Sequence, residues 1–147
     1  MSISKDLYLA ILAMDSYNQG YGKGLDHGKT QIGSATVKDI SSGLDDSGWQ
    51  DAGFYAVAYD TEYGTVISYR GTDNPSIFAS DTAGAGDIIA GWVTGSGNWR
   101  TDQVRLSQEF FDQAAGTQDG DSRTGSAILT GHSLGGGLAG FVGAMSL

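Results

Sequence analysis

The chain contains no cysteine, which excludes disulfides and thiolate metal sites. At 147 residues it is long enough to bury one hydrophobic core without such staples, so the absence leaves its compartment open. Positive charge is scarce: 8 Lys and Arg stand against 17 Asp and Glu, a formal net charge of −9. A phosphate backbone or an anionic membrane surface would be repelled, and no nucleic-acid partner is expected. Long apolar runs are missing too, none approaching the roughly 18 residues of a transmembrane segment. The start, MSISKDLYLAILAMDSYNQG, has one basic residue, Lys5, acidic brackets at Asp6 and Asp15, and no small-residue cleavage site, so it reads as a helix and not a signal peptide. Histidines number two, His27 and His132.

What is present reads as an α/β chain. Leu7, Ile11 and Met14 recur at helical spacing between Ser4, a capping residue, and Gly20, a stop, which predicts an amphipathic packing helix over 5–18. From Gly20 to about Gly48 neither period is visible, and the segment reads as a long surface loop. FYAVAYDTEYGTVISYRG predicts a hairpin, with strands at Phe54 to Tyr59 and Thr65 to Arg70. Residues 73–100 mix the sole proline, Pro75, and many Gly, Ser and Asp with apolar Ile77, Phe78, Ile88, Ile89, Trp92, Val93 and Trp99, as a mobile or partly covered segment would. Thr101 is placed to cap a helix with an apolar side at Val104, Phe110, Phe111, Ala114 and Ala115, ended by Gly116. Ala127 to Thr130 then reads as a short buried strand and Leu134 to Met145 as a small-residue helix, the strand-turn-helix grammar of an α/β sheet.

That last turn carries chemistry. In AILTGHSLGGGLAG, Gly131, Ser133 and Gly135 form a GxSxG pattern directly after an apolar run. A serine on a tight strand-to-helix turn is held out of the sheet with its hydroxyl exposed, while flanking glycines remove side chains that would collide with strand and helix. The first N–H groups of the following helix point back at the turn and can stabilise an oxyanion. A second donor is expected from another loop, and VISYRGTD ends a strand.

SYRGTD and ILTGHSLGG, in that order, resemble the class 3 (fungal-type) lipase family, serine esterases of the α/β-hydrolase fold. The resemblance runs from about Phe54 onward. It implies a mostly parallel sheet flanked by helices, of which 1–147 is the N-terminal portion of a single domain, ending just after the nucleophile-elbow helix and incomplete as given. It makes Ser133 the acylated nucleophile, with the backbone N–H groups of Thr72 and Leu134 binding the oxyanion. It places a lid over the acyl pocket within 73–100; Ile88, Ile89 and Trp92 are the candidates for its apolar face, the alternative being that they pack onto the core. The substrate is then an ester or lipid, with no metal and no cofactor.

His132 adjoins the nucleophile, but neighbouring side chains diverge at such a bend, so it is structural and not the base. His27 lies upstream, whereas the triad of this fold runs Ser, acid, His along the chain. Residues 134–147 contain neither an acid nor a histidine. A serine without a base is a weak nucleophile. The chain alone is therefore expected to be a poor or inactive esterase, the N-terminal part of a longer hydrolase that is truncated, nicked, or completed by a C-terminal polypeptide carrying the triad acid and His. The alternative is a non-catalytic hydrolase-like module that binds lipid or a partner near Trp92. Arg70 either pairs with a carboxylate to hold the oxyanion loop or is an exposed charge at a strand end. A phosphate-loop reading of GYGKGLDHGKT fails because Lys23 stands where a glycine is needed, and Gln118 to Ser122 read as a solvated turn and not a calcium loop.

Overall fold

The computed structural model describes residues 3–18, 31–44, 47–49, 52–71, 98–116 and 126–146. Thr72, Ile88, Ile89, Trp92, His27, Gln118 to Ser122 and all of the expected lid except its last three residues lie outside them.

Helix α1, Lys5–Asp15, opens on Ser4, whose Oγ accepts the Leu7 N–H at 3.2 Å. Its buried residues are Tyr8, Leu12, Ala13 and Asp15, and the stripe expected to pack is outside: Leu7, Ile11 and Met14 are 51%, 39% and 53% exposed. The mixed face wins because its polar tips find partners. Tyr8 Oη lies 3.1 Å from Ser34 Oγ, and Asp15 accepts the Tyr59 hydroxyl at 2.8 Å.

Five strands follow: β1 Gln31–Ile32, β2 Ala35–Ile40, β3 Ala56–Thr61, β4 Gly64–Tyr69 and β5 Ile128–Gly131. They lie side by side in chain order. The first three pairings are antiparallel and β4 with β5 is parallel. The described sheet is therefore mixed, α/β in class, and not mostly parallel. The tight β1–β2 and β3–β4 turns can only reverse a strand, whereas the long connection from β4 to β5, which includes helix α2, Asn98–Ala114, returns the chain in the same direction. The β1–β2 hairpin falls where a surface loop was expected. It turns through Gly33 at φ +59° and buries only Ala35 fully, so little alternation marks it in the sequence.

Helix α3, Leu134–Met145, completes the described elements. The sheet has two covered faces. Tyr59, bonded to Asp15, and Thr130, whose Oγ1 donates to Leu9 O at 3.4 Å, point to α1. On the other face Tyr69 donates its hydroxyl to Ser107 O in α2 at 2.8 Å, and Leu129 meets α3 at Gly143. Residues 56–59 and 66–69 are buried without alternation, as strands covered on both sides must be. Strand β5 is only half-buried, and among the described strands it pairs on one side alone. An open groove of about 500 Å³, lined by Phe111, Ala127, Leu129, Ala139 and Gly143, lies beside it. No described helix is long and apolar enough to cross a membrane.

Candidate functional site

Ser133 joins β5 to α3 at φ +58° and ψ −123°, and among the described residues it is the only non-glycine with positive φ. Such a backbone costs on the order of 1–3 kcal/mol and persists only where its surroundings impose it. Here the two flanking glycines impose it. A Cβ on Gly135 would collide with the Tyr69 carbonyl oxygen, and one on Gly131 would collide with the Gly135 carbonyl. Neither glycine is at positive φ, so close approach, and not conformational freedom, demands them. With strand and helix this close the turn has one residue in which to reverse, and Ser133 takes the strain at an exposed position.

The helix start beyond it presents donors. Gly135 N–H donates to His132 O and Gly136 N–H to Ser133 O, each at 3.0 Å. Leu134 N–H, one residue earlier, meets no acceptor among the described residues. It lies at the positive end of the α3 dipole, beside Ser133.

The second wall comes from β4. The parallel ladder ends at the pair Tyr69 and Gly131, and two residues on Gly71 is packed against the turn. A Cβ there would stand 2.8 Å from His132 O and 3.2 Å from Ser133 Cβ. The strand end of SYRGTD and the GxSxG turn are thus neighbours, although 62 positions separate Gly71 from Ser133. Thr72 itself is outside the described residues, but Gly71, to which it is joined, touches the site.

Around this contact lies a polar cluster. Gly71 N–H donates to Tyr17 Oη at 3.1 Å, and Tyr17 Oη is 3.1 Å from His132 Nδ1, with the two rings edge-on at 5.9 Å. Arg70 is buried, not an exposed charge at a strand end. Its guanidinium carbon lies 5.0 Å from the Tyr17 ring centre and 5.6 Å from that of Tyr55, and the Arg70 backbone N–H donates to Tyr55 O at 2.9 Å. Burial pushes the Tyr55 phenol up to about 12, with the Arg70 charge acting against it and Asp15 adding to it. Burial likewise raises Tyr59, and its bonded partner Asp15 raises it further. Both phenols stay protonated at ordinary pH, and that of Tyr59 donates to Asp15.

The structure therefore brings together Gly131, His132, Ser133, Leu134 and Gly135 with the end of β4. Sequence reasoning missed Tyr17 and Tyr55. Tyr17 sits two residues past α1 with no spacing that ties it to the turn, and Tyr55 looks like any other aromatic of a β-prone run. Among the described residues no three His, Asp or Glu side chains are grouped as a metal site would need.

No family model matches this sequence, and no match is found among curated proteins or solved structures.

Proposed function

We propose that the protein is a serine ester hydrolase, a lipase or carboxylesterase of the α/β-hydrolase type, acting through an acyl-enzyme on Ser133. The single observation that carries this reading is the strained, exposed Ser133 between two glycines that the strand-helix contact leaves no room to replace. Backbone strain on a serine is retained where the position of its hydroxyl matters.

In this reading Ser133 Oγ attacks the ester carbonyl carbon and its proton passes to a histidine. The carbonyl oxygen becomes anionic and receives the N–H groups of Leu134 and Thr72, each contributing about 3 kcal/mol to the transition state. The alcohol leaves with the histidine's proton, and water then releases the acid from Ser133. The Leu134 N–H, which meets no acceptor among the described residues, and the packing of Gly71 on Ser133 support this assignment. No cofactor enters these steps. The stretch 73–100 is the proposed lid, with Ile88, Ile89 and Trp92 toward the acyl chain.

His132 adjoins Ser133 at a bend where neighbouring side chains diverge, and its Nδ1 meets Tyr17, so the base is proposed to be another histidine. The triad acid and His are proposed to come from further polypeptide seated along the outer edge of β5. The pairing of that strand on one side alone among the described strands, and the groove beside it, support this placement.

Pre-steady-state hydrolysis of an activated ester tests the reading. A burst of alcohol equal to the protein concentration is expected, absent in Ser133→Ala, from the protein together with whatever polypeptide co-purifies. A folded assembly without a burst or turnover favours a non-catalytic, lipid- or partner-binding module instead.

A further inference from the structure

We infer that Tyr17 is a positioning residue of this site: its hydroxyl ties the strand end after β4 to the turn after β5, and so aims the amides around Ser133. The inference rests on the hydrolase reading and deepens it.

An oxyanion site built from two separate segments needs those segments held in fixed register. The β4–β5 ladder does this as far as Tyr69 and Gly131 and then stops. Beyond it the Gly71 N–H is taken by Tyr17 Oη at 3.1 Å. A hydroxyl has one proton and two acceptor sites. With Gly71 donating in, that proton is available to His132 Nδ1, 3.1 Å away, and this second bond requires His132 to carry its own proton on Nε2. One oxygen thus bonds the residue preceding Thr72 and the residue preceding Ser133.

The phenol is itself fixed. Its ring lies under the Arg70 guanidinium and edge-on to His132, and its backbone N–H donates to Met14 O at 3.1 Å in the turn that ends α1. Arg70 is anchored in turn on Tyr55 by its backbone and over the Tyr55 ring. The fit excludes a side chain at 71, where a Cβ would stand 2.5 Å from Tyr17 Oη. Tyr17 and Gly71 therefore form one device, the glycine making room for the hydroxyl that holds it.

The test is Tyr17→Phe, which keeps the ring and removes the tie, read in the protein with its co-purifying polypeptide. Expected are a kcat lower by about 10- to 100-fold, the scale of a slightly misplaced reacting group, with KM within about twofold and far-UV dichroism unchanged. Two further readouts follow the tie itself: faster hydrogen exchange of the Gly71 amide, and loss of the Nε2–H tautomer preference of His132 in its ¹⁵N spectrum. Tyr17→Leu, which also removes the stacked ring, is expected to lose thermal stability as well as kcat. An unchanged kcat in Tyr17→Phe, or unchanged Gly71 exchange and His132 tautomer, overturns the inference while leaving wild-type turnover as support for the hydrolase. A wild type with no Ser133-dependent turnover ends the hydrolase reading, and with it the positioning role, whatever the spectra show.

Discussion

Gly135 lies against the carbonyl oxygen of Tyr69 so closely that a methyl group in place of its hydrogen would overlap that oxygen. The contact joins the first turn of α3 to the end of β4 across β5, and it fixes where the helix can begin.

Gly135→Ala is accordingly expected to cost about 3 kcal/mol or more, because the clash is with backbone that has no rotamer to escape through. Gly140→Ala, in the same helix with open space at its Cβ, is expected to gain about 0.5–1 kcal/mol from helix propensity. Urea midpoints of the two variants, read side by side, check both signs.

Ser133→Gly should separate stability from activity. Relief of the positive-φ strain contributes about 1–3 kcal/mol, glycine's greater freedom in the unfolded chain takes back about 0.5–1, and a net gain of about 1 kcal/mol remains. Ser133→Ala keeps a Cβ at the strained position and should gain nothing. Both are expected to abolish the proposed ester turnover. Chemical denaturation of the pair measures the strain directly.

Ser68 is fully buried in β4, and its hydroxyl has no partner among the described residues. Ser68→Ala removes an unsatisfied polar group without opening a large cavity, so a gain of about 1 kcal/mol is expected in the same assay.

Alkaline pH should unfold the protein through its tyrosines. Burial raises Tyr55 to about 12 and raises Tyr59 and Tyr69 as well, with Asp112 adding to the effect at Tyr69. In each case the native state keeps a proton that the unfolded chain releases near pH 10, so the stabilisation is complete below about pH 10 and falls as pH rises through the folded values. Unfolding free energies measured from about pH 9 to 11.5 should decline progressively. Tyrosinate absorbance should be read in parallel, with the phenols of buried residues titrating only as the chain unfolds.

Much of this was legible from residues alone where one local force dominates. The β3–β4 hairpin shows as two β-prone runs, and the two glycines around Ser133 were readable because close strand-helix contact leaves only one residue type. Strand β5 was expected to be buried, yet it is half-exposed, since burial of a strand depends on neighbours no local pattern reveals. The exposed face of α1 was misread because hydropathy ignores polar tips: Tyr8 and Asp15 go inward on hydrogen bonds to Ser34 and Tyr59, residues far along the chain. Helix α2 begins at Asn98, ahead of the Thr101 cap expected for it. Tyr17 was invisible for a related reason, its contacts to Gly71 and His132 spanning 54 and 115 positions.

The central claim is that the Ser133 hydroxyl is an activated nucleophile facing donor amides. Its most direct test is the site of covalent capture by a fluorophosphonate, mapped by peptide mass spectrometry on the protein with its co-purifying polypeptide. The account predicts a single adduct on the peptide containing Ser133, lost in Ser133→Ala and slowed in Tyr17→Phe. A folded assembly that stays unlabelled at Ser133, or reacts equally at other serines, would contradict it.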